Sequence, residues 1–95
     1  MTRLTDANFK DFVANGERII ICTAGYCKPC QNAIRQLEDI SGIGLVELTD
    51  HRCYNTMRRL MVKKVPTVIF YENGEETNRT VGISSVLDMT RRESH

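Results

Sequence analysis

Two of the four cysteines, Cys27 and Cys30, are separated only by Lys28 and Pro29. The apolar run Ile19-Ile20-Ile21-Cys22 leads into them, and a helical pattern from Gln31 to Ile40 leads away. The pair therefore stands at a strand-to-helix junction. In open α/β sheets, ligand and reaction sites gather at the carboxyl ends of strands. A helix amino terminus also presents unpaired N–H groups and partial positive charge, and both favour a thiolate over a thiol. The expected chemistry is that of a nucleophilic sulfur. Two thiols at this spacing close a small ring, so the second can attack a disulfide held by the first within one molecule. Pro29 fits the first helical turn, where its missing N–H costs little. A metal site is the rival: Cys27-x-x-Cys30 with His51-x-Cys53 has ligand types that suit zinc. Zinc ribbons, however, use tight loops, and here a helix and a strand intervene.

The elements that must position this pair follow from pattern. Thr5 or Asp6 can cap a first helix, with Phe9, Phe12 and Val13 on one face, and Asn15-Gly16 ends it. Arg18 to Thr23 is short, β-branched and bounded by glycines, as a buried strand is. In the helix after the cysteines, Ala33, Ile34, Leu37 and Ile40 form one stripe, while Arg35, Gln36, Glu38 and Asp39 face water. Leu45 to Thr49 is a second strand. Tyr54 to Met61 forms a third helix, with Met57, Leu60 and Met61 expected inward. Thr67 to Tyr71 is a strand, Glu72-Asn73-Gly74-Glu75 a hairpin turn, and Thr77 to Val81 the returning strand. Ser84 or Ser85 can cap a last helix through Val86, Leu87 and Met89. Early strand–helix–strand crossovers and a late hairpin imply an α/β fold: a mixed central sheet of four to five strands flanked by helices on both faces.

Residues 1–95 are expected to form a single domain with one modest core. The formal net charge of +1 offers no bulk electrostatic case for nucleic acid or membrane binding. No apolar run approaches bilayer length. The amino terminus lacks the apolar region of a signal peptide, so a cytoplasmic location is expected. Cysteines in that reducing compartment are more often catalytic or metal-binding than structural.

Over nearly its whole length the chain resembles the thioredoxin family. The resemblance rests on Leu4-Thr5-Asp6 with Phe9, Cys27-Lys28-Pro29-Cys30, Val65-Pro66-Thr67, Phe70-Tyr71-Glu72-Asn73-Gly74 and Val81-Gly82. Glutaredoxins fit less well, because Pro-Tyr between the cysteines and a later Gly-Gly pair are absent. The resemblance implies a thioredoxin-like fold and a protein-disulfide reductase. Cys27 would attack substrate disulfides and Cys30 would resolve the mixed disulfide. It further implies a cis bond between Val65 and Pro66 facing the cysteines, with Val65 backbone groups pairing to an extended substrate. Tyr26, Lys28, Pro29 and Gly82 complete the expected substrate surface. The implied partners are disulfide-containing proteins and a reductase of the thioredoxin-reductase type; the protein is expected to be a monomer. No cofactor or metal is called for. Two other readings stay open: a glutathione-linked enzyme, and a non-enzymatic accessory subunit.

Departures from the family matter as much. Thioredoxins usually carry a buried Asp six positions before the first cysteine, where this chain has Ile21, and a Lys nineteen positions before the proline, where it has Glu47. A carboxylate has thus moved between expected neighbouring strands. Either Glu47 accepts the Cys30 proton, or it reaches a solvated edge and Ile21 is plain core. Lys28 stands where Gly is most common in the family; it either favours the Cys27 thiolate or swings into solvent. Without a substituting Glu47, both changes lower the Cys27 pKa and make a weaker reductant than a Gly-Pro thioredoxin. Thr23 and Tyr26 replace family tryptophans, and Tyr26 still offers a flat apolar shoulder. Cys22 is expected in the core, and Cys53 in an exposed polar loop. Arg58, Arg59, Lys63 and Lys64 form either a solvated face or a positive rim that steers acidic partners.

Overall fold

The computed structural model describes residues 1–84. The expected helix through Val86, Leu87 and Met89 lies outside them. Among these residues five strands form one sheet, in the order β1 (Thr2–Arg3), β3 (Ile43–Glu47), β2 (Glu17–Thr23), β4 (Thr67–Glu72) and β5 (Glu75–Val81). β2 runs parallel to β3 and antiparallel to β4, so the sheet is mixed as expected. β1 was not anticipated, since two residues carry no readable periodicity; it pairs parallel to β3.

β2 is the central strand, and its sequence shows why. Ile20, Ile21 and Cys22 are all fully buried, on alternating sides of the strand. Ile20 and Cys22 pack with Val13, Val46, Leu60 and Ile69, beneath the helices α1 (Phe9–Val13) and α3 (Tyr54–Leu60). Ile21 packs with Leu37, Ile43, Leu45 and Val68, beneath α2 (Lys28–Leu37). A strand covered on both faces needs a continuous apolar run rather than alternation. The stripe of α2 lies as expected, with Ala33 and Leu37 buried and Arg35, Gln36, Glu38 and Asp39 exposed. Its observed bounds are three residues earlier at each end than the pattern indicated, because Cys27 itself serves as the N-cap.

Two close fits hold the periphery. A Cβ on Gly44 of β3 would overlap Leu4 Cδ1 and come within 2.8 Å of Phe12 Cε1, so only glycine lets these side chains cross the strand. The hairpin tip, Asn73 and Gly74, has positive φ at both residues, which matches the twist of the flanking strands. Asn73 also accepts from Gly16 N–H through its side chain (2.8 Å) and donates its own N–H to Gly16 C=O (3.0 Å).

Three expectations are corrected. Asp6 does not cap the first helix, whose N-cap is Asn8 without a side-chain bond. Its carboxylate instead accepts from Thr56 N–H and Oγ1, both at 2.7 Å, and from Asn55 N–H at 3.1 Å, tying the amino-terminal segment to α3. Thr5 likewise supplies no helix cap; its hydroxyl accepts from Ala7 N–H. Met61 does not point inward: it is the left-handed C-cap of α3 at φ 53°, and that turn swings its side chain out to 71% exposure. Cys53 is not exposed. A short 3₁₀ turn, His51–Cys53, folds its thiol into the core, where it donates to Leu4 C=O.

Gly44→Ala is expected to destabilise the protein by about 1–3 kcal/mol through overpacking, measured by urea unfolding. The Thr56 hydroxyl, helped by the Thr56 and Asn55 N–H groups, holds the Asp6 carboxyl below its ordinary value of 3.8. Its folded pKa is thus depressed, so its stabilisation is present above 3.8 and is lost as pH falls through the lower folded value. Asp6→Asn should therefore reduce stability at pH 7 and flatten the acid limb of a stability–pH curve.

Candidate active site

Cys27 and Cys30 are joined as a disulfide, with Cα atoms 5.3 Å apart. β2 delivers them: it ends at Thr23, and the loop turns on a hydrogen bond from Cys27 N–H to Ala24 C=O (3.0 Å). Cys27 has extended geometry, and its Sγ accepts the Cys30 N–H at 3.3 Å. Sulfur thus takes the role usually given to a Ser, Thr, Asp or Asn oxygen. Cys27 is half-buried, whereas Cys30 is fully buried. One sulfur can meet a partner and the other sits behind it. Pro29 lies in the first turn and, like Lys28, is exposed.

The Val65–Pro66 bond is cis. Its position follows from register: Cys22 pairs with Thr67 across β2 and β4, so the segments just beyond, 23–27 and 65–66, share one end of the sheet. Gly82, at φ 98°, donates its N–H to Pro66 C=O at 2.7 Å and so joins the same surface. Tyr26 is 76% exposed beside Cys27. Five residues spread over the sequence, Tyr26, Cys27, Val65, Pro66 and Gly82, are brought to one edge.

Glu47 ends β3, half-buried. It follows Ile43 and Leu45 at two-residue spacing and so shares their face, the one packed under α2, which is the side that carries Cys30. Its register partner is Thr23 rather than Ile21, one pleat nearer the cystine. Thr49 donates both its hydroxyl (2.8 Å) and its N–H (3.4 Å) to Glu47 Oε1. Thr49 was not singled out from sequence. Its Oγ1 lies 3.8 Å from where a Gly25 side chain would begin, so it packs directly on the active-site loop.

Thr23 is fully buried, and its hydroxyl has no hydrogen-bond partner among the described residues. The remaining cysteines are set apart. Burial pushes the Cys22 thiol up to about 12 and also raises that of Cys53. Among the described residues no three His, Cys, Asp or Glu side chains gather closely enough to hold a metal ion. The basic residues near Pro66 divide. Arg58 stacks on Tyr54 at 5.6 Å and Arg59 lies by Asp6, while Lys63 and Lys64 adjoin Pro66.

A cystine capping a helix at the end of the central strand, within this sheet order, marks the molecule as a thiol–disulfide oxidoreductase. Residues 1–91 match the thioredoxin family model, and the chain belongs to that family. It is 32% identical over 90 residues to a thioredoxin of Chlamydia caviae, covering 88% of this chain and 86% of that one. To a thioredoxin of Staphylococcus saprophyticus it is 26% identical over 87 residues, 86% and 84% of the two chains. The fold is similar to that of Fasciola hepatica thioredoxin (TM-score 0.79, 17% identity, 97% and 98% covered). It is also similar to a chain from a complex of ferredoxin:thioredoxin reductase with thioredoxin f2 (TM-score 0.76, 12% identity, 99% and 94% covered).

After reduction, iodoacetamide should modify Cys27 first and leave Cys22 and Cys53 unmodified until urea is added, as read by peptide mass spectrometry. Thr23→Val removes an unpaired buried hydroxyl and should leave stability unchanged or raise it by up to about 1 kcal/mol.

Proposed function

We propose that the reduced protein cleaves protein disulfides with Cys27 as the attacking sulfur and Cys30 as the resolving one. The carrying observation is the asymmetry of the pair: Cys27 is reachable and accepts a backbone N–H, and Cys30 is enclosed behind it. The Cys27 thiolate attacks one sulfur of the substrate, forming a mixed disulfide and releasing the other sulfur as a thiolate that takes up a proton. Cys30 then loses its proton and attacks Cys27. The intramolecular disulfide forms and the second substrate thiol departs. Two electrons have passed to the substrate, and an external reductant returns the cystine to the dithiol.

Val65, Pro66, Gly82, Tyr26, Lys28 and Pro29 form the surface that receives the substrate. Among the described residues the Val65 N–H and C=O make no hydrogen bond, which leaves them available to an extended chain in strand fashion. Glu47 is the proton acceptor for Cys30, supported by its place on the α2 side of the sheet and by the Thr49 clamp that holds it near the active-site loop. The donor is a reductase. A structural neighbour was solved with ferredoxin:thioredoxin reductase; for this chain we favour an enzyme of the thioredoxin-reductase type, acting in the cytoplasm. Among the described residues no helix is long and apolar enough to cross a membrane.

Insulin-disulfide reduction, with a flavoprotein reductase, ferredoxin-linked reductase and glutathione supplied in turn, tests both activity and donor. Cys27→Ser should abolish turnover, and Cys30→Ser should accumulate a mixed disulfide on a non-reducing gel. With Glu47→Gln, Cys30 must release its proton to water. The rate at pH 7 should then fall roughly tenfold and the pH profile move to higher pH; an unchanged profile removes Glu47 from the mechanism.

A further inference from the structure

A cleft of about 290 Å³ opens immediately beyond the cis-proline, between the end of α3 and the last strand, lined by Met61, Val62, Lys63, Lys64, Thr67, Arg79 and Val81. It shares the chain segment of the reaction site, since Lys64 precedes Val65–Pro66 and Thr67 follows. Two large apolar side chains stand open on its walls, Met61 at 71% and Val81 at 66% exposure. Met61 is held at φ 53°, where a residue bearing a side chain costs roughly 1 kcal/mol more than glycine. An exposed methionine kept at a glycine-favouring position has no packing reason among the described residues.

The charge of the cleft is one-sided. Lys63, Lys64 and Arg79 line it, and no carboxylate among the described residues does. Arg79 is committed elsewhere: it forms a two-pronged pair with Glu76 and donates to Leu60 C=O at 2.9 Å, strapping β5 to the end of α3. That strap shapes the wall and neutralises Glu76. Lys63 and Lys64 remain exposed, with no carboxylate partner among the described residues.

We propose that this cleft is a specificity subsite, which selects disulfide substrates carrying an apolar residue and neighbouring acidic residues beside the reacting cysteine. The proposal rests on the disulfide-reductase reading above and names its substrate class. A segment paired with Val65 as a strand alternates its side chains. One set faces Cys27, and the other reaches the cleft, where Met61 and Val81 receive the apolar group and Lys63 and Lys64 the carboxylates. Arg58 and Arg59 face other surfaces and take no part.

The test uses the reduced full chain and three disulfides: a small neutral one, bis(2-hydroxyethyl) disulfide, and two peptides of equal length with Leu-Asp-Glu or Ser-Asn-Gln beside the cysteine. The acidic–apolar peptide should show about a tenfold higher kcat/KM, the scale of two partly screened ion pairs with a modest apolar contact. The preference should shrink in 0.5 M salt. Lys63→Glu with Lys64→Glu should bring the ratio of the two peptides to one or below, and Met61→Ser should lower it about threefold. Equal rates for the two peptides, or a ratio unmoved by these variants, overturns the subsite. So does a preference that fades as protein concentration rises, because then a second copy of the chain occupies the cleft. Failure to reduce even the small disulfide instead overturns the reductase reading itself.

Discussion

The antiparallel register of β2 against β4 is the constraint from which the site follows. Pairing Cys22 with Thr67 sets the loop that begins after Thr23 beside the loop that ends at Pro66. A shift of one residue would turn every side chain of β2 to the opposite face. Ile20 and Ile21 are both fully buried, on opposite sides, so either shift would have to rebuild two packed layers at once. The register is therefore held by apolar burial far below the cystine, and the reactive end inherits its geometry. Polar and cationic residues at that end are free to serve partners because they are not needed to hold the strands together.

At the top of β2, one bond serves structure and reactivity together. Cys27 Sγ caps α2 by accepting the Cys30 N–H. A thiolate accepts such a bond more strongly than a neutral sulfur does. The Cys30 N–H that caps the helix thus also faces the sulfur proposed to react. The thiol behind it has no such help, since Cys30 is enclosed. Glu47, clamped by Thr49, ends β3 on the α2 side of the sheet.

Much of this was legible in the residue order, for reasons particular to each part. The central strands and the α2 stripe declared themselves through dense β-branched runs and a clear helical period. The Asn73-Gly74 turn was legible because positive φ at both positions restricts the residues that fit. What escaped depended on contacts distant in sequence. Asp6 has the local marks of a helix cap, yet it bonds to Asn55 and Thr56, about fifty residues away. Cys53 sits among polar neighbours, yet a three-residue turn rolls it inward under Leu4. Met61 kept helical phase in the sequence, but the helix ends one residue earlier and a left-handed cap reverses its direction. Arg58 and Arg59 lie on α3, whereas Lys63 and Lys64 follow its left-handed cap, so four cations close in sequence fall on different surfaces.

The two outermost strands have a consequence for how this molecule behaves when crowded. One border of the sheet, β1, is only two residues long. The other, β5, carries Glu75, Glu76 and Arg79 and is exposed along most of its length, and a bulge breaks its ladder between Phe70 and Tyr71. Unpaired strand borders are templates on which foreign chains can add and fibrils can grow. Here one template is too short to copy, and the other is charged and bent. The rims of the sheet thus discourage foreign chains from adding to it, through shortness on one side and charge and curvature on the other.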